Sequence, residues 1–274
     1  MANGLIAYLT TASIPAGSLD LPVVPDQVLS QSGPSGLVAP WPLDIVGAYL
    51  GLGGATGYGR LNSPTLAQTV APYIRPASGT VAPASNPPLQ FLGGGALRFP
   101  AGESLRVQVV AESSLAGALA LVFIQDRHEP IPAGPIYTLM FKSPASGATT
   151  PVSGLWTSSL LEWSDQLPAG KYAIIAMEYV PDTVSSNAGL AARLVLAGQT
   201  LRPGTLAIPG LDGQNSRYVY DRSFGVLGTF DSFAMPGLEV LWTGTTPATG
   251  FHGFVQVVKI ADASGRPCAC KGGR

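Results

Sequence analysis

Residues 105–124 read Leu-Arg-Val-Gln-Val-Val-Ala-Glu-Ser-Ser-Leu-Ala-Gly-Ala-Leu-Ala-Leu-Val-Phe-Ile, and their periodicity decides how the chain folds. Leu105, Val107 and Val109 alternate with Arg106 and Gln108. Side chains of an extended chain point to opposite sides in turn, so this alternation is that of a half-buried strand. Ala116 and Gly117 break the run, and Leu119, Leu121 and Phe123 resume it in step. The stretch therefore predicts two strands joined by a short connection.

The same period recurs outward from there. Leu238, Val240 and Trp242 share one side of Leu238-Glu-Val-Leu-Trp. Tyr172-Ala-Ile-Ile-Ala-Met is apolar on both sides, which fits a strand covered on both faces. Leu5–Leu9, Asp44–Leu50, Tyr137–Phe141, Leu190–Leu196 and Phe254–Ile260 are further strand-length apolar segments. Between them fall 34 glycines and 25 prolines, and proline excludes both helix interiors and central strand positions. Many short strands with Gly/Pro turns, and no alternation with long amphipathic helices, predict an all-β sandwich or barrel. One window supports two readings. Trp156, Leu160, Trp163 and Leu167 form a helical stripe, while Leu155, Thr157, Ser159, Leu161 and Trp163 form a strand face. The segments from Ser30 to Trp41 and from Arg75 to Pro88 read as long loops, the usual place for contacts with partners.

Pro-Ala-Gly recurs at Pro15, Pro100, Pro132 and Pro168, each time after an apolar residue. Proline fixes one dihedral and glycine frees another, so each copy is a turn. The copies at Pro100 and Pro168 each lead into a pair of strands, which fits either duplication of a β unit or repeated use of one turn vocabulary.

Of the 274 residues 46% are hydrophobic and 11% charged. The mean hydropathy is +0.29. An average soluble domain carries roughly 25% charged residues. So few charges suit a chain whose surface is covered by copies of itself or by other proteins, because interface cores are depleted of charge. A membrane helix needs about 18 consecutive apolar residues, and the longest run, Leu115 to Ile124, falls short. The net charge of −1 gives no basic surface for nucleic acid. Arg266, Lys271 and Arg274 make residues 266–274 locally basic, a solvated tail or a contact to nucleic acid or anionic lipid. Cys268 and Cys270 are too close to pair with one another and lack further ligands for zinc, so they read as free thiols or inter-chain cross-links. The start of the chain lacks the basic region of a secretory signal.

No catalytic arrangement emerges. The chain has no Gly-x-Ser-x-Gly elbow and no phosphate-binding Gly-x-x-x-x-Gly-Lys loop. The glycine cluster Gly51 to Gly59 reads as a strand exit and turn. His128, in Asp126-Arg-His-Glu129, sits in a polar turn, and His252 opens a strand. Glu162, Asp165 and Asp182 are the acidic residues to weigh for glycosidase work, which needs two carboxylates facing across a groove. The sequence thus predicts no catalytic, cofactor-binding or metal-binding residues. Trp41, Trp156, Trp163 and Trp242 define the alternative, a carbohydrate- or receptor-binding sandwich with stacking platforms.

The stretch from Leu167 to Trp242 is the most specific. It runs Leu-Pro-Ala-Gly-Lys-Tyr-Ala-Ile-Ile-Ala-Met-Glu-Tyr, then a polar loop, Ala-Gly-Leu-Ala-Ala-Arg-Leu-Val-Leu, Leu-Arg-Pro-Gly, Phe224-Gly-Val-Leu-Gly-Thr-Phe and Leu238-Glu-Val-Leu-Trp. It resembles the second half of jelly-roll major capsid proteins of tailless icosahedral bacterial viruses, the vertical jelly-roll lineage that often encloses an internal membrane. The resemblance implies a non-enzymatic structural protein of the virion, assembled in the host bacterial cytoplasm. Its partners would be copies of itself, other capsid or penton proteins and an internal viral membrane, with no specific nucleic-acid binding. It implies either one decorated jelly roll or two small side-by-side rolls. The division that follows is residues 1–150 as the first half or roll, 151–265 as the second, and 266–274 as a basic Cys-containing tail.

Overall fold

The computed structural model describes residues 4–11, 16–21, 30–31, 36–38, 41–52, 57–65, 73–74, 76–77, 90–91, 97–112, 118–144, 152, 154–181, 189–207, 224–243 and 250–265. The tail with Cys268 and Cys270, Asp182, Pro15 and the loop residues 78–88 lie outside them. The chain divides into two compact units, Leu5–Arg127 with Ile208–Asn215, and Met1–Gly4 with His128–Ala207 and Ser216–Arg274. The elements are strands, arranged almost throughout as antiparallel sheets.

The first unit holds β1 (Gly4–Thr11), β2 (Gly17–Asp20), β3 (Ser30–Gln31), β4 (Leu37–Val38), β5 (Leu43–Leu52) and β6 (Gly57–Asn62). It continues with β7 (Tyr73–Ile74), β8 (Pro76–Ala77), β9 (Gln90–Phe91), β10 (Arg98–Phe99), β11 (Ser104–Ala111) and β12 (Ala118–Gln125). One sheet runs β1-β12-β5-β10, with β8 and β9 also on β5. The other runs β3-β4-β11-β6-β7, with β2 also on β11. The alternation of residues 105–109 appears in β11, where Leu105, Val107 and Val109 are buried and Arg106 is exposed. Burying such a side chain contributes roughly 1.5–3 kcal/mol. Both parities of β5 from Leu43 to Ala48 are buried, so this strand is covered on both faces.

The second unit holds β13 (Ile136–Lys142), β14 (Trp156–Ser159), β15 (Glu162–Trp163), β16 (Gly170–Pro181) and β17 (Gly189–Val195). Then come β18 (Gly204–Ala207), β19 (Gly228–Asp231), β20 (Gly237–Thr243) and β21 (Phe251–Asp262). Its sheets run β15-β13-β21-β16-β19 and β14-β20-β17-β18. Residues Tyr172 to Met177 of β16 are buried without interruption, as their two-sided apolar pattern predicts. Two irregularities in register, at Lys171/Tyr172 and Ile174/Ala176, let β16 bend along β21. Tyr172 closes the entry to the strand by donating its hydroxyl to the Pro168 carbonyl at 2.6 Å.

Pairing within each unit is nested. In the second unit β13 pairs β21, β14 pairs β20, β16 pairs β19 and β17 pairs β18. Two further pairings, β16 with β21 and β17 with β20, join these hairpins into sheets. The first unit repeats the scheme: β1 with β12, β2 with β11, β5 with β10 and β6 with β7, joined by β5 with β12 and β6 with β11.

The division between units falls between Arg127 and His128. β13, which a division at residue 150 assigns to the first half, therefore pairs inside the second unit. The ambiguous window around Trp156 is extended, as β14 and β15, because pairing of Trp156 with Leu241 and Phe141 with Trp163 fixes it as strand. The long loop expected between Ser30 and Trp41 contains β3 and β4, and the glycine-rich run after Gly51 leads into β6. The Pro-Ala-Gly echo does not mark equivalent places. One copy precedes β11, the next-to-last strand of its unit, and the other precedes β16, an early strand of its own. Repetition lies in the pairing order and not in that tripeptide.

Candidate interaction surfaces

Strand placement disperses the residues with chemical potential. His128 is exposed just ahead of the β13 hairpin, and the Glu129 carbonyl beside it accepts the Val226 amide at 2.9 Å. His252 lies on β21, half-buried, with its ring edge-on to Phe254 at 6.1 Å. Glu162 is exposed on β15 and Asp165 is exposed just after it. Among the described residues no three His, Cys, Asp or Glu side chains gather where they could hold a metal ion. No helix of the described residues is long and apolar enough to cross a membrane.

Two of the tryptophans, Trp156 and Trp163, make side-chain contacts among the described residues. The Arg193 guanidinium lies 4.0 Å from the centre of the Trp156 ring. Trp163 donates its indole N–H to the Pro236 carbonyl at 3.3 Å and meets Phe141 edge-on. Trp41 is half-buried at the bend leading into β5, and Trp242 lies on β20 with its side chain outside the described residues.

One charged cluster is buried. Arg193 of β17 donates through Nε to Glu239 of β20, its cross-strand neighbour, and Arg202 reaches the same carboxylate. The sequence alone does not reveal this group, because neither arginine is near Glu239 along the chain. Register brings them together.

Among the described residues, exposed large apolar and aromatic side chains occur on both units. On the first unit, Tyr58 and Tyr73 are 42% and 57% exposed, with ring centres 5.3 Å apart. Arg60, beside them in the sheet, donates through Nε to Gln108 at 2.6 Å. On the second unit, Val152, Leu155, Leu160 and Phe233 are exposed apolar side chains, and three of them flank β14. Among the described residues β14 pairs only with β20 and forms the edge of its sheet. Pairing leaves the other side of an edge strand with a row of backbone donors and acceptors.

The fold is that of an all-β protein of two units built almost wholly of antiparallel sheets. Compared with known proteins, the chain matches no family model, no curated protein sequence and no solved structure.

Proposed function

We propose that this chain is a structural coat protein that self-assembles into capsomers of an icosahedral virus shell, and that each of its units is a jelly roll. The nested pairing carries the reading. A jelly roll is a long hairpin of eight strands wrapped into two sheets, so its first strand pairs its last, its second the seventh, its third the sixth and its fourth the fifth. The pairs β13·β21, β14·β20, β16·β19 and β17·β18 follow that order, and the first unit follows it again. Such rolls serve in viral capsids, lectins and cupins, so function rests on the surface and not on topology. A charged fraction of 11% favours a surface destined for burial between copies. The shell reading places the protein in the virion, beside other capsid or penton proteins and an internal membrane, after assembly in a bacterial cytoplasm.

Light scattering over a wide concentration range tests this. The expected result is trimers or larger assemblies; a stable soluble monomer throughout would contradict it.

A second reading, a glycan-binding sandwich, is favoured by the exposed Tyr58 and Tyr73 beside Arg60. It predicts binding to a glycan array without assembly, lost in Tyr73→Ala.

A further inference from the structure

We infer that the outer face of β6 and β7 holds a binding site for a carboxylated sugar, in which Arg60 takes the carboxylate and Tyr58 and Tyr73 take the ring. Alternation along β6 turns Gly59 and Leu61 inward, where both are buried, and Tyr58 and Arg60 outward. Tyr73 stands opposite Arg60 in the register of β6 with β7, while Ile74 beside it is buried. Gln108 of β11 stands opposite Arg60 on the other side. The row Tyr73, Arg60, Gln108 therefore crosses three strands on one face, with Tyr58 two residues along β6. The two tyrosine rings meet edge-on, 5.3 Å apart at 68°, and both are exposed. Tyrosine offers a ligand rigid apolar area and a hydroxyl at small cost in conformational entropy.

Charge selects the ligand. Arg60 is half-buried, and its Nε donates to Gln108 Oε1 at 2.6 Å. That bond holds the guanidinium plane and leaves the two terminal nitrogens for a ligand, the pair that grips a carboxylate in two parallel hydrogen bonds. Among the described residues no carboxylate pairs with Arg60, whereas Arg106 on the same face is paired with Asp20 at 3.0 Å. One uncompensated cation beside two aromatic rings calls for one anionic group carried on a ring. A nucleic acid suits the face less well. It brings a phosphate for every base, and rings in edge contact leave no gap for a base to enter between them. A sugar acid brings a single carboxylate, and its C–H face can lie on one tyrosine ring.

The inference deepens the glycan-binding reading and rests on it for the class of ligand. Titration calorimetry of the full chain with trigalacturonate and with sialyllactose, each beside its neutral methyl ester, tests it. At least one acid should bind about tenfold or more tighter than its ester, because the ester loses a charge-assisted hydrogen-bond pair. Arg60→Gln should bring acid and ester to the same weak affinity. Arg60→Lys, which keeps the charge but not the planar fork, should restore only part of the preference. Tyr73→Ala should weaken acid and ester alike. Arg106→Gln combined with Asp20→Asn removes the neighbouring ion pair at constant net charge and should keep the preference. If acid and ester bind equally, or Arg60→Gln keeps the preference, the carboxylate site is overturned and the glycan reading stands. If neither acid binds, the site is overturned, and the glycan reading falls with it only when a glycan array is also blank. An oligothymidylate bound more tightly than either acid would overturn the site in favour of nucleic acid.

Discussion

Arg193 Nε stands 2.6 Å from Glu239 Oε2 with the arginine side chain 1% exposed. The cross-strand register of β17 and β20 puts the two directly opposite. Arg202 Nη1 completes the carboxylate at 2.5 Å, and Trp156 covers the Arg193 plane. A buried ion pair adds little net stability over an apolar pair, but removing one member strands a charge out of water. Glu239→Ala should therefore cost about 3–5 kcal/mol in urea unfolding. The double replacement Arg193→Met with Glu239→Leu should recover most of that loss, since the most deeply buried charge then no longer lacks its counter-ion; a double variant as unstable as Glu239→Ala would show that the cluster is not the cause.

The Tyr172 hydroxyl anchors the start of β16 to the Pro168 carbonyl. Tyr172→Phe keeps the buried ring and its stacking on Phe230 but removes the donor. Unfolding should become easier by about 1 kcal/mol. A variant indistinguishable from the parent would mean that the bond contributes nothing net.

Gly253 lets β21 pass close to its neighbours. A Cβ at this position would overlap the Phe141 ring and the Glu178 carbonyl. Gly253→Ala should cost about 1–3 kcal/mol in urea unfolding through forced displacement of that packing. Gly198, where an added Cβ meets nothing, separates the two effects available to glycine, since its cost would arise from its φ of 71° alone.

Acid stability has an identifiable contributor. The Thr65 hydroxyl and amide, with Ser63, hold the Glu103 carboxyl below its ordinary value of 4.5. A depressed folded-state value means that the unfolded chain takes up the proton first as pH falls. The contribution is therefore complete above the ordinary carboxylate value and lost as pH drops through and below it. Urea melts of the parent and Glu103→Gln, from about pH 6 to about pH 3, should converge at the acid end. Curves that stay parallel throughout would show that Glu103 plays no part.

Strands with a clear period are legible in the sequence alone. Leu105–Val109, Tyr172–Met177 and Leu238–Trp242 all fall inside strands because two-residue alternation, or a two-sided apolar run, leaves few other ways to bury those side chains. Short elements such as β10 (Arg98–Phe99) and β15 (Glu162–Trp163) are not legible. Two residues carry no period, and their pairing with Leu43–Asp44 and Phe141–Lys142 is a tertiary event. Nested pairing is likewise invisible along the chain, since Ile136 meets Val258 across most of a unit. The place of β14 is also not legible: only the sheet order puts it, among the described residues, at the end of its sheet.

Electron microscopy of the purified, concentrated full-length protein tests the shell reading most directly. A coat protein of this kind should give regular capsomers or closed polyhedral particles whose subunit density holds two eight-strand rolls. A field of dispersed single chains, unchanged as concentration rises, would contradict it.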